Sequence, residues 1–454
     1  MAIFNASCKK ESFITSAGAI VNISADTIHF DTVFTSVGSV THLFKILNSN
    51  NQKLKLSSVR LAGGENSSFS INVDGIIGPE VNNIEIEAND SLYVFVSVEI
   101  DPTQNDIPFI IEDSIAVSYN GNTRWVQLQA FGQNAIFLRS QLITGNQLWT
   151  NEKPIVILGG VVVDKNAVLT IEEGAKIYLH ADAPFIVDGT LKVEGALYDS
   201  TRVYFQSDRL DEPYRNFPGS WPGIYFREDS HDNVLNFAVI KNAYQGIVVD
   251  KPSMNGNPKI VLNECIIDNC YDAGILAVNS SIVARNCLVS NTGKGIILVL
   301  GGNYTFQHCT GVSVSNSYIL HKEPVLLITN FIKEGNTILS ADLNASFDNC
   351  IFWGANGTVE NEVVTAKEGA GIFNVQFRNS LWKIKSEPAS VSSTNMINED
   401  PLFDSINTQR RYYNFRLKDI SPAIDKGILT PIIIDLDGKP RNVRIPDMGS
   451  YERE

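Results

Sequence analysis

Two segments decide the fold: LNECIIDNCYDAGI, residues 262–275, and ARNCLVSNTGKGI, residues 284–296. Taken alone, Cys265 and Cys270 would admit a metal site, a disulfide or a reactive thiol. Their surroundings favour a blander role. Cys287 follows Cys265 by 22 residues and Cys309 follows Cys287 by another 22, within the related strings LNECII, ARNCLV and FQHCTG. Cys350, in FDNCIF, comes 41 residues later, which reads as two such steps with a small shortening. Ala238 fills the same slot in FAVIKNAYQGI, and Ser380 fills it in FRNSLW. A small side chain thus recurs at a fixed period, with asparagine commonly just before it and again four residues after it.

A period of 20 to 25 residues, built from short strands and Asn-rich turns with no helix-length segment between them, is the rung of a right-handed parallel β-helix. Rungs stack at about 4.8 Å, so residues 154–390 hold roughly ten to eleven of them and rise on the order of 50 Å. The interior of such a coil admits only layers of like side chains. Cys265 therefore neighbours Cys287 one rung away rather than Cys270, which occupies a second register with Ala243 and Thr292. A zinc ion needs ligands converging from four directions, whereas a column presents them in a line. Free, buried thiols are expected. Asparagine at the bends would bond its amide to neighbours above and below.

Upstream the grammar differs. HLFKILN, KLKLSSVRL, SFSINVDG and SIAVSYNGNTRWVQLQAFG alternate apolar and polar residues over short spans, the mark of an antiparallel sandwich. Asn120-Gly121 is a tight-hairpin signal, because both positions take positive φ cheaply. The expected organisation is a tether over residues 1–19, an immunoglobulin-like sandwich over 20–135, the β-helix over 136–390 and a C-terminal cap over 391–454. The fold class is all-β.

With 36 basic and 50 acidic side chains the net charge is -14, which argues against nucleic acid and anionic membrane as partners. No run of 18 apolar residues exists to span a bilayer. Motifs for chemistry are scarce. At steps of 22 residues Glu264 is followed by Asn286 and His308, and Asp268 by Ser290 and Val312, so no acidic ladder forms. Six scattered histidines give no zinc spacing, and there is no G-x-S-x-G elbow. Setting DLDGKPRN on a calcium loop puts Ile433 and Arg444 where acids belong, so Asp437 or Asp447 is expected to pair with Arg441 instead. No cofactor and no metal are implied. The richest polar stretch is the insertion over residues 207–233, where Arg209, Asp211, Glu212, Tyr214, Arg215 and Trp221 offer aromatic stacking and bidentate hydrogen bonds to a sugar. Packing of Trp221 and Tyr214 against the coil, with the charges solvated, is the competing reading.

The rung text, with GSWPGIYF, NAYQGI and DAGI, followed by EDPLFDS, SPAIDKG, DLDGKPR and GSYE, resembles pectate-lyase-like parallel β-helix surface proteins of Gram-negative bacteria. That resemblance implies a C-terminal stretch closing the end of the coil and an immunoglobulin-like domain in front, which SADTIHFDTVFTSVGSV also resembles. NASCKKES resembles the end of a bacterial lipoprotein signal, implying lipidation at Cys8 and an outer-membrane lipoprotein at the cell surface or on the periplasmic side. The functional expectation is a monomeric, surface-anchored β-helix protein that binds polysaccharide or has a structural role without catalysis. The rival is a polysaccharide lyase or glycoside hydrolase acting on the outer face of the coil.

Overall fold

The computed structural model describes residues 12–34, 41–100, 109–441 and 444–453. Cys8 lies outside them. The chain divides into two compact units, Met1–Ala135 with Leu210–Glu212, and Ile136–Arg209 with Pro213–Glu454.

In the first unit two sheets enclose one core. One sheet orders Val21–Ile23, His42–Asn48, Ser91–Val98, Phe69–Val73 and Ile76–Ile77; the other runs through Lys53–Leu61, Phe109–Tyr119, Asn122–Gln133 and Thr27–Phe34. Alternation does the work. Phe44, Ile46, Leu54, Leu56, Val94, Val96, Val117 and Val126 point inward and are fully buried. Asn120 and Gly121 take φ of 47° and 80°, closing the hairpin in which Tyr119 pairs with Asn122. Pairing is antiparallel except where Thr27–Phe34 runs parallel to Asn122–Gln133 and Phe13–Ile14 parallel to Lys53–Leu61.

The second unit is a 25-stranded parallel sheet coiled into three walls, a right-handed parallel β-helix. The first wall climbs through Val168–Glu172, Thr190–Glu194, Asn233–Asn236 and Ile260–Asn263 to Leu343–Asp348 and Phe373–Arg378. Val203–Ser207, Ala238–Lys241, Ile266–Asp268, Leu288–Ser290, Thr310–Val314 and Ile351–Ala355 make the second. The third contains Phe185–Val187, Ile224–Phe226, Ile247–Asp250 and Leu326–Thr329. Ala273–Arg285 and Lys294–Gln307 are long strands that bend from the third wall into the first.

Between the first and second walls the coil turns on one residue, and these residues form a column: Glu264, Asn286, His308, Asn349 and Asn379, with φ between 45° and 56°. Asparagine is enriched there because its short polar side chain tolerates the left-handed region. Asn286 Nδ2 donates to Glu264 Oε1 at 3.1 Å, and Asn349 Nδ2 lies 2.8 Å from His308 Nε2. A second bend repeats at Asn242, Asn269 and Asn291 with φ of 63°, 57° and 51°; Asn269 Nδ2 donates to Asn242 Oδ1 at 2.8 Å.

Cys265, Cys287, Cys309 and Cys350 are buried, free and in register on successive rungs. Burial pushes the Cys265, Cys287 and Cys309 thiols well up from their ordinary range. One expectation needs correcting. Thr310 pairs with Ile351, so the 41-residue step from Cys309 to Cys350 is a single rung. The extra chain is spent in a loop over residues 315–324 and in the hairpin of Phe331–Glu334 with Thr337–Ser340, whose strands pair with each other instead of joining a wall.

A second correction concerns the C-terminal segment: Val391–Thr394 adds a last strand to the first wall, with Val391 and Met396 packed on the core at that end, but the chain from Phe403 onward covers the side of the coil rather than closing its end. Leu288, Val312, Val314, Ile351 and Leu381 project outward from the second wall and are buried against Phe403, Phe415, Leu417, Leu436, Met448 and Tyr451. An apolar outer face demands such a cover. The corner column holds the segment in place: Asn286 Nδ2 donates to Ile434 O, Asn349 Nδ2 to Ile428 O and Asn379 Nδ2 to Lys426 O, at 2.7, 2.8 and 2.8 Å. Within it Arg441 forms a buried ion pair with Glu452 and donates to Asn286 Oδ1 at 3.1 Å. Asp437 pairs with Arg416, not Arg441, both contacts at 2.6 Å. Asp447 meets Arg441 only through its backbone carbonyl, while its carboxylate accepts from Asp425 N and Arg453 N.

Candidate functional site

On the outer face of the first wall, register brings uncharged side chains, all but one of them polar, into two columns. Ser281, Asn303, Asn344 and Asn374 stack in one, and Val283, Thr305, Ser346 and Gln376 in the other. Strand alternation turns their neighbours Ile282, Tyr304, Ala345 and Val375 inward. The amides form a chain: Asn344 Nδ2 donates to Asn303 Oδ1 at 3.2 Å, Asn374 Nδ2 to Asn344 Oδ1 at 3.4 Å, and Gln376 Nε2 to Asn374 Oδ1 at 3.0 Å. Each amide has further donor or acceptor capacity beyond this chain.

A loop over residues 251–258 forms one rim, contributing Pro252, Ser253, Asn257 and Pro258 to a groove of about 520 Å³. Asp232 ties that loop down, accepting from Asn255 Nδ2 and Asn257 Nδ2 at 2.8 Å each. These amide bonds, Asn257's first, hold its carboxyl below the usual range. The loop's far end is anchored by Lys259, whose buried ammonium donates to Arg227 O, Glu228 O and Asp250 O at 2.9, 2.9 and 2.7 Å. Burial pulls its pKa down to about 8.

No carboxylate, imidazole, ammonium or guanidinium lines the groove. The ionisable group in its lining is the Tyr304 phenol, which donates to Gly301 O at 2.9 Å and is raised by burial; the paired carboxylates of glycoside hydrolysis are missing from the lining. What remains is a bank of neutral donors and acceptors suited to hydroxyl groups.

The residues singled out in the insertion have different surroundings. Trp221 is 1% exposed and donates its indole Nε1 to Lys241 O at 2.8 Å, which leaves no open face for a ligand. Arg209 stacks 4.1 Å over Tyr214, Tyr214 packs against Phe217, Phe217 against Tyr318, and Arg411 stacks 4.1 Å over Tyr318. This chain of rings fastens the insertion to neighbouring loops. Arg215 contributes its backbone carbonyl to Asn242 Nδ2 at 2.8 Å, and its side chain is exposed. Asp211 is half-buried and Glu212 exposed. At the insertion's root, sequence reasoning missed a pair: His180 Nδ1 lies 2.7 Å from Asp208 Oδ2. Burial raises the Asp208 carboxyl, with the bond to His180 opposing.

A second cleft, about 370 Å³, lies between the second wall and the C-terminal segment and mixes Asp199, Arg202, Lys241, Asp268 and Arg411 with four tyrosines. Lys241 Nζ lies 3.8 Å from Asp268 Oδ2, and Arg411 stacks on Tyr318 outside the cleft. Arg202 donates to Glu264 O and Leu436 O, and Asp268 accepts from Ser290 Oγ and Asn291 Nδ2. Among the described residues no group of three or more His, Cys, Asp or Glu side chains is placed to hold a metal ion.

No curated protein matches this chain. Similar segments occur in solved structures, among them the three that follow. A family 123 glycoside hydrolase from Clostridium perfringens, studied for glycolipid glycan hydrolysis, shares 10% identity over 28% of this chain and 30% of its own, with TM-score 0.20. The ASH/PapD-like domain 7 of human CEP192 shares 11% over 25% and 86%, with TM-score 0.18. The Salmonella enterica SafA pilin with its SafB chaperone gives 13% over 27% and 57%, again with TM-score 0.18. Scores this low establish no common fold. The chain spans 30% of the length of the hydrolase. Residues 214–311 match the family described as a right handed beta helix region, and they span much of the second unit's coil.

Proposed function

We propose that this is a non-catalytic glycan-binding protein whose groove on the first wall holds a neutral polysaccharide. The carrying observation is the groove's lining, in which hydroxyls and amides stand among a few apolar residues with no carboxylate, imidazole, ammonium or guanidinium. A uronate chain would find no cation there to balance its carboxylates. Presentation at the bacterial surface, behind an immunoglobulin-like sandwich and a lipid on Cys8, belongs to the same proposal.

The test is calorimetric titration with neutral and uronate-containing polysaccharides, alongside assays for new reducing ends and unsaturated products. Binding of a neutral polymer without product is expected, weakened about tenfold when both Asn344→Ala and Asn374→Ala are introduced, since a tenfold loss is about 1.4 kcal/mol. Product release, or undiminished binding by the double variant, overturns the reading. For the anchor, mass spectrometry of the N-terminal peptide from native membranes should find a diacylglyceryl increment on Cys8, and an unmodified thiol refutes it.

A further inference from the structure

The geometry points to a second saccharide subsite, separate from the groove, on the corner between the second and third walls. Counted from the shared asparagine bend, the second residue on is Tyr244 after Asn242, Tyr271 after Asn269 and Gly293 after Asn291. The third is Gln245, Asp272 and Lys294. Tyr244 and Tyr271 therefore stack, centroids 5.7 Å apart and planes within 25°, while remaining 46% and 55% exposed.

Gly293 continues their column without a side chain, so the column itself places nothing over the face of Tyr271 turned away from Tyr244. A Cβ at Gly293 would stand 2.2 Å from Tyr271 O, so the backbone keeps that step bare. Beside it, Gln245 Nε2 donates to Asp272 Oδ2 at 2.9 Å and Lys294 Nζ sits 2.7 Å from Asp272 Oδ1. A ring left half exposed, with Gly219 close beside it, next to a fixed acceptor and donor of opposite charge fits an uncharged pyranose, its C–H face on Tyr271 and its hydroxyls on Asp272 and Lys294. Two rings are far too small a patch for a stable protein interface.

The ligand class rests on the glycan-binding reading, but the residues do not, and titration separates the two. The probes are neutral oligosaccharides of β-1,4-glucose, β-1,3-glucose and mannose. At least one should bind the full chain, with affinity about tenfold lower for Tyr271→Ala, matching an aromatic stacking contribution near the top of its range. Tyr271→Phe should retain it, and thermal unfolding should show both exposed variants folded. Loss through Asn344→Ala with Tyr271→Ala unaffected overturns this subsite and leaves the groove standing. Loss through Tyr271→Ala alone supports the subsite and removes the groove. No binding to any probe overturns both.

Discussion

Replacing Lys259 by methionine should destabilise the coil and loosen the groove together. Lys259 is 0% exposed, and its ammonium bonds three backbone carbonyls from two successive turns, those of Arg227, Glu228 and Asp250. Methionine fills similar space but leaves three buried acceptors bare, at about 1 to 3 kcal/mol each. Removing a buried charge returns part of that through relieved desolvation, so a net loss of about 3 kcal/mol is expected. Equilibrium urea unfolding measures it. The sign of its pH dependence follows from the pKa, lowered from 10.5 to about 8. Between those values the unfolded chain binds more protons than the folded one, so the wild type gains stability as pH rises from 8 toward 10.5, and the gap to Lys259→Met widens. Because residues 251–258 hang from this anchor, glycan binding in the groove should weaken as well. A variant that unfolds with the wild type at every pH refutes the argument that this ammonium holds the corner.

Asn349→Ala loses its bonds to His308 Nε2, Ile428 O and Ile428 N and places alanine at φ 56°, for about 4 kcal/mol in all; Asn349→Gly should be about 1 kcal/mol milder, and equal losses would show that the backbone conformation is irrelevant. Burial raises Glu452 from 4.5 to about 7, so its contribution to stability is full below 4.5 and is lost as pH rises through 7. Unfolding of Glu452→Gln should lack that slope, and a slope identical to wild type contradicts the assignment. A bulky thiol reagent should leave Cys265, Cys287, Cys309 and Cys350 unlabelled in the native protein and label all four in urea, whereas native labelling at any of them would break the picture of a closed core.

The rung period was legible because small inward side chains must stack on one another, and Ala238, Cys265, Cys287 and Ser380 display that constraint directly in the text. The step to Cys350 misled because the hairpin at Phe331–Ser340 is itself strand-like, so its residues passed for a rung. Asn303, Asn344 and Asn374 lie 41 and 30 residues apart, and only the register reveals them as neighbours. The place of the C-terminal segment was hidden for a different reason. Leu288, Ile351 and Leu381 look like ordinary core residues until alternation shows that they face outward. Trp221 reads more readily as packing than as platform, and its burial decides for packing.

The corner column and the segment it grips bear on mechanics. A solenoid whose rungs touch only their neighbours can peel one turn at a time, since each interface carries its own share of stability. Here one stretch of chain is fastened at Arg202, Asn286, Asn349 and Asn379, spanning most of the coil. Tension on the ends must detach this lengthwise strap before the turns beneath it can separate in sequence. The expected force trace is a single high peak followed by low, regular steps, with the peak set by the strap and the steps by the rungs.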